Sequence, residues 1–387
     1  MRNFELETFF STWEFTARHH MTASDMESMS LGDLLSLADP QDRKEFVELS
    51  LGYTQTWGAA DLRELIAGTY ESLSAEHVLC LAGAGEGIYA AMRVLLAPQD
   101  HAIVVVPNYQ SAETIALEVC EVTGVALHEH NNWQLDMAEV EAAIRPNTKL
   151  VSINFPHNPT GALMAHKDLD ALVALCRKHD LYLFSDEVYR GVELKASDRM
   201  RQVADIYEKG ISLNVMSKAY GMPGLRIGWV ASQDTDALQK VERYKHYLSI
   251  CNSAPSERLA VIALKHRDTI LDRNRAIVAR NVVELEALFN EFPGLFHWQR
   301  PKGGCVAFPK YTGPDGVEAF CKSLLKDSGV LLLPASVYKS ELMDTPVDNF
   351  RIGFGRGAVF AEGLAAMRRH LESHYREFRK AEGQRGS

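Results

Sequence analysis

Between about residues 45 and 250, short apolar runs alternate with stretches of helical periodicity. The runs Val78–Leu81, Ala102–Val106, Val125–His128, Leu150–Asn154, Tyr182–Ser185, Ile211–Val215 and Ile227–Ala231 predict strands. Helical patterns such as Gly85–Leu96 and Lys167–His179 lie between them. Runs that stay apolar for the length of a strand belong to strands buried on both faces. Alternation with helices then predicts an α/β fold with a mostly parallel seven-stranded sheet covered on both sides. Ligands of such sheets gather at the carboxyl ends of the strands, so motifs falling there carry the most weight.

From roughly Arg273 an amphipathic pattern (Ile277, Val278, Val282, Leu285, Leu288, Phe289) predicts a helix leaving the sheet. Strands near Val306–Pro309, Val330–Leu333 and Phe350–Gly353 then predict a smaller α+β unit, ending in a helix over Met367–Lys380 and a frayed Ala381–Ser387. The first forty residues read as two short helices and a connector packed on that unit. The expected division is 1–44 for the N-terminal segment, 45–272 for the large domain and 273–387 for the small one.

Charge and composition narrow the function. A formal net charge of −10 without a basic stripe argues against a nucleic-acid partner. No apolar run is long enough to span a membrane, and acidic residues at Glu5 and Glu7 do not suit a signal peptide, so the cytoplasm is expected. Cys80, Cys120, Cys176, Cys251, Cys305 and Cys321 show no paired spacing and read as reduced packing thiols.

The candidate chemistry falls at predicted strand ends. Gly83-Ala84-Gly85-Glu86 joins a strand to a helix, where backbone N–H groups suit a phosphate. A dinucleotide fingerprint would need glycine at 88, where Ile88 stands. Pro107-Asn108-Tyr109 presents an aromatic ring. Asn154-Phe155-Pro156-His157-Asn158-Pro159-Thr160-Gly161 fixes an irregular backbone around Asn158. Ser185-Asp186-Glu187-Val188-Tyr189 leaves a buried strand, and a carboxylate there is costly unless a cation meets it. Ser217-Lys218-Ala219-Tyr220-Gly221-Met222-Pro223-Gly224-Leu225-Arg226 sets a lysine at a turn and an arginine beyond a Gly-rich bend. A crowded lysine suits Schiff-base chemistry, and the planar fork of an arginine suits a phosphate.

Taken together, Asn158-Pro-Thr-Gly161, Asp186-Glu-x-Tyr189, Ser217-Lys218 with Arg226, and Phe350-Arg351-Ile352 resemble the pyridoxal-phosphate aminotransferases of fold type I, class I/II, from about Tyr53 to Arg351. The resemblance implies that Lys218 forms the Schiff base with the cofactor and later moves the substrate proton. It implies that Asp186 pairs with the pyridine nitrogen, that Tyr189 and Asn158 bond the 3′ oxygen, and that Tyr109 stacks on the ring. Ala84, Gly85, Ser217 and Arg226, with Gly83 at the turn, are implied for the phosphate, and Arg351 for the substrate carboxylate. Tyr53 matches a tyrosine that reaches the cofactor of a partner subunit, so a homodimer is implied. No metal is.

Two departures stand out. The serine that the family often has three positions before the lysine is Val215 here, and the N-terminal Gly-x-Pro segment is absent. In its place, Trp13-Glu14-Phe15 and Ala23-Ser24-Asp25-Met26-Glu27-Ser28 are similar to the branch containing capreomycidine synthase and the pyridoxal-phosphate-dependent arginine oxidases. That similarity implies that Glu14, with Asp25 or Glu27, receives a cationic side chain such as that of arginine. Ser24-x-x-Glu27 also fits a capping box, in which case these acids only cap a helix. The expected activity is transfer of an amino group from an L-amino acid to a 2-oxo acid. The alternative is a cyclase/dehydratase, lyase or oxidase acting on arginine or a hydroxyarginine. His128-Glu129-His130 reads as a surface strand, Asn252–Ser256 as a plain turn or a loop to the partner, and Arg356 as a surface charge in preference to a second anion contact.

Overall fold

The computed structural model describes residues 2–379; the tail expected to fray, Ala381–Ser387, lies outside them. The main sheet has seven strands in the spatial order Val78–Leu81, Gly228–Ala231, Gly210–Val215, Tyr182–Asp186, Thr148–Asn154, His101–Val106, Glu121–Ala126. Gly228–Ala231 runs antiparallel to both neighbours, and the other pairings are parallel. Successive side chains leave a strand on opposite faces. Leu79 and Leu81 therefore join Ile88, Leu95 and Leu213 on one side, while Val78 and Cys80 enter the core on the other. Ile103, Val105, Val151 and Ile153 meet Leu169 and Leu172 of the helix His166–Lys178. Each such side chain contributes about 1.5–3 kcal/mol by leaving water, so the covered sheet is a rigid platform for whatever sits at its strand ends.

Two sequence expectations shift. The strand expected at Val125–His128 is Glu121–Ala126, because an edge strand needs only one apolar face and its register follows His101–Val106. The stretch His128–His130 is not a strand: it leads into a single 3-10 turn, Glu129–Asn131.

Helix Arg267–Glu291 leaves the sheet. Beyond it, Val306–Ala307, Phe350–Gly353 and Leu333–Pro334 form an antiparallel three-stranded sheet. The last long helix is Ala358–His374, starting and ending earlier than expected. Gly363 hides the earlier start, since it breaks the helical pattern. It is there because a Cβ would lie 2.2 Å from the Met21 sulfur.

The N-terminal segment reaches this second sheet directly. After the helix Glu5–Trp13, His19–His20 pairs in parallel with Val330–Leu331. Gly353 N then donates to Met21 O at 2.7 Å, and Glu27 N donates to Gly355 O at 2.8 Å. A Cβ on Gly353 would lie 1.9 Å from Ala23 O, so the close approach requires glycine. The helices Leu31–Leu37 and Pro40–Val47 instead lie against Ala254–Lys265. There the buried Asp42 carboxylate accepts from Lys265 at 2.7 Å and from Arg258 at 3.4 Å. The first 47 residues thus touch both parts of the molecule rather than the smaller one alone.

Candidate active site

A cleft of about 350 Å³ opens where the strand ends of the main sheet meet the N-terminal segment. Its lining includes Ala84, Gly85, Tyr109, Asn158, Asp186, Tyr189, Ser217, Lys218 and Arg226, which come from five separate stretches of the sequence. Glu14 and Asp25 line it too. Gly83, Arg351, Glu27 and Tyr53 do not.

Lys218 stands just beyond the strand Gly210–Val215. Its Nζ donates to Ser24 Oγ at 2.9 Å. Burial lowers its pKa, and Arg351 pushes the same way against the pull of Asp25. Asp186 ends the neighbouring strand. Its side chain accepts only from Val188 N, at 3.2 Å, among the described residues. Burial therefore raises its pKa to about 6, with Lys218 opposing the rise. A cation against this carboxylate would offset that desolvation.

Another part of the cleft lining suits an anion. Helix Ala84–Leu95 begins there with its unsatisfied N–H groups, and Gly83 enters it at φ 98°. A Cβ on Gly83 would lie 2.5 Å from Arg226 Nη2. Arg226 Nη1 donates to Pro223 O at 3.1 Å and Ser217 Oγ at 3.4 Å, and no acid pairs with it among the described residues. Val215 also lines the cleft, adding an apolar wall where a serine was expected. A helix N-terminus beside a free guanidinium is a strong anion site.

Asn158 and Arg351 form a buried knot. Asn158 Oδ1 accepts from Tyr338 Oη at 2.9 Å and Arg351 Nη1 at 3.2 Å. Arg351 Nη2 donates to Thr22 O at 2.7 Å, and the Phe10 ring covers the guanidinium at 5.5 Å. Arg351 is fully buried behind the cleft wall, with no acidic partner among the described residues. Its donors are met by neutral oxygens of Thr22, Asn158 and Tyr338 rather than by a carboxylate. Tyr189 Oη donates to Ser24 O at 2.9 Å. Tyr109 Oη donates to Glu7 Oε1 at 2.8 Å.

Several readings of the N-terminal acids need correction. Ser24-x-x-Glu27 is no capping box: no helix starts there, and the Ser24 hydroxyl serves Lys218. Glu27 turns away from the cleft and accepts from Gly357 N, because a helix starting at Ala358 draws a carboxylate to its N-terminus. Arg356 is not a surface charge. It lines the cleft and grips Asp25 with Nε to Oδ1 at 3.1 Å and Nη2 to Oδ2 at 3.0 Å. Asp25 is thereby neutralised by its own chain. Glu14 remains: burial raises its pKa against the pull of Arg356 and Lys218, and the nearest basic group is His20 Nε2 at 4.0 Å. His20 is itself held neutral, its pKa lowered by burial to about 4. Tyr53 is 91 % exposed, away from this cleft and beside the loop Cys251–Pro255. Sequence reasoning missed Glu7, His20, Ser24, Tyr338 and the cleft position of Arg356. No local motif marks them.

A seven-stranded α/β sheet with a buried lysine, an under-solvated aspartate and an anion cradle defines a pyridoxal-phosphate enzyme of aspartate aminotransferase-like fold. The chain belongs to the aminotransferase class I and II family, whose sequence profile matches residues 42–376. It is 27 % identical to capreomycidine synthase of Streptomyces vinaceus over 382 residues, spanning 98 % of this chain and 96 % of that one. It is 34 % identical to an arginine–pyruvate transaminase of Pseudomonas aeruginosa over 186 residues, 46 % of this chain and 47 % of that one. A solved pyridoxal-phosphate-dependent aminotransferase from Streptococcus suis 89-1591 superposes with a TM-score of 0.90 at 30 % identity, covering 98 % of this chain and 99 % of that one. The cofactor is pyridoxal 5′-phosphate, and the amine, carboxylate and cradle described above fit it. Among the described residues, no helix is long and apolar enough to cross a membrane.

Proposed function

We propose that the enzyme moves the amino group of an L-amino acid with a cationic, arginine-like side chain to a 2-oxo acid. When bound, pyridoxal 5′-phosphate supplies an electron sink for charge developing at the substrate Cα. Lys218 offers the amine that tethers the cofactor and, once displaced, moves the proton at Cα. Its lowered pKa favours the neutral form that both tasks need. Asp186 holds the ring nitrogen protonated. Asn158 and Tyr189 bond the 3′ oxygen, and Tyr109 faces the ring. Ala84, Gly85, Ser217 and Arg226 bind the phosphate. Arg351 takes the substrate carboxylate.

The side-chain preference rests on one observation. Each other acid of the cleft is accounted for: Asp186 by the cofactor, Asp25 by Arg356, and Glu7 by the Tyr109 hydroxyl. Glu14 alone is partly desolvated without a cation in hydrogen-bond contact, so a guanidinium or ammonium best completes it. The exposed Tyr53 supports a homodimer in which it serves the partner's site, and six unpaired cysteines support the cytoplasm.

A second reading keeps the substrate and changes the outcome. The likeness to capreomycidine synthase along nearly the whole chain favours cyclisation, elimination or oxidation of arginine or a hydroxyarginine without net transamination. Incubation with arginine, lysine, glutamate and aromatic amino acids, with and without a 2-oxo acid, separates these by product mass. Release of the matching keto acid from arginine supports transamination. Equal or greater turnover of glutamate would overturn the cationic preference.

A further inference from the structure

Away from the cleft, helices Val317–Ser328 and Ala358–His374 bring Asp327, His370 and His374 together. The two histidines are four positions apart on one helix and so share a face. His370 Nδ1 lies 3.9 Å and His374 Nε2 3.8 Å from Asp327 Oδ2, and the three atoms fall within 4.8 Å of one another. These are too long for hydrogen bonds and leave room between the donors. We infer that Asp327, His370 and His374 form a binding site for a first-row divalent cation of the zinc class, separate from the cofactor cleft.

His374 Nδ1 lies 3.0 Å from His370 O, and a carbonyl can only accept, so that nitrogen carries the proton and Nε2 keeps its lone pair. Ser323 Oγ donates to Phe320 O, which leaves it to accept from His370 Nε2 at 3.4 Å. His370 Nδ1 is then the unprotonated nitrogen. It is buried, on a residue 3 % exposed, and has no hydrogen-bond partner. Each ring thus has a second contact that leaves the nitrogen nearer Asp327 unprotonated, which is the outer-contact arrangement that metal-bound histidines show.

Two imidazole nitrogens and a carboxylate oxygen suit zinc, and less so magnesium or calcium, which prefer oxygen. Tetrahedral coordination with bonds of about 2.0–2.1 Å needs donors about 3.3 Å apart. Asp327 is exposed and free to close that gap by side-chain rotation. Arg18 and Arg369 border the same hollow. Their charge makes the site weaker than a closed structural one. A bound ion would staple the C-terminal helix to its neighbour, beside the strand His19–His20 that leads into the cleft.

The test uses tag-free, full-length holoenzyme stripped with a chelator and titrated with Zn²⁺ against a chromophoric competitor. One equivalent should bind and resist excess Mg²⁺. His374→Ala and Asp327→Asn alter exposed side chains; with unchanged circular dichroism, each should weaken the affinity at least about tenfold, as losing a ligand contact does. Zn²⁺ should also raise the thermal midpoint of the unmutated enzyme more than that of His374→Ala. Binding of equal strength in His374→Ala, or no bound equivalent in the unmutated enzyme, would overturn the inference.

Discussion

At the cofactor end of the cleft, Asp186, Ser217, Lys218 and Gly85 each stand at or within a few residues of the end of a strand or the start of a helix of the main sheet. Where the N-terminal segment closes the cleft, Glu14, Ser24, Asp25 and Arg356 come from opposite ends of the chain; Asp25 and Arg356 are 331 positions apart. The first group is set by local backbone geometry on a buried platform. The second is set by the contact between Met21–Glu27 and Gly353–Gly355. The two groups have different supports and meet at Ser24, whose hydroxyl accepts from Lys218 and whose carbonyl accepts from Tyr189.

That division can be broken at either end. The largest effect is expected from Asp186→Asn. Charge-assisted hydrogen bonds contribute about 1.5–3 kcal/mol, so kcat/KM at saturating cofactor should fall about 10- to 100-fold for every amino acid alike. Glu14→Gln should cost about tenfold in kcat/KM for arginine and little for alanine. Steady-state kinetics on both substrates checks the two together, and an equal loss on alanine would contradict the division. Gly353→Ala forces its Cβ against Ala23 O. It should cost about 1–3 kcal/mol in urea unfolding and raise KM more than it lowers cofactor affinity.

The smallest effect is silent near neutrality. His20 has its pKa lowered from 6.5 to about 4 by burial, so between those values the unfolded chain binds the extra proton. Its contribution to stability is complete above pH 6.5 and is lost as pH falls through about 4. His157, likewise lowered to about 4, adds in the same direction. His20→Gln should flatten the acid limb of the unfolding profile while leaving stability at pH 8 close to that of the parent.

The same contrast explains what was legible in sequence. Buried parallel strands write themselves as continuous apolar runs, and Asn158–Gly161, Asp186 and Lys218 sit at their ends within short motifs. Ser24, His20, Glu7 and Tyr338 carry no such signal. They meet the cleft only through pairings across hundreds of residues, such as the contact of Tyr338 Oη with Asn158. Glu27 and Arg356 show the cost of reading charges without those pairings. One acid was drawn away to a helix start, and one arginine expected at the surface was drawn in to hold Asp25.

The most direct test of the account is to reduce the purified yellow enzyme with borohydride, digest it and map the modified lysine by mass. The account predicts cofactor attached at Lys218 alone, with none bound covalently to Lys218→Ala. Attachment at another lysine, or an enzyme that never takes up the cofactor, would contradict it.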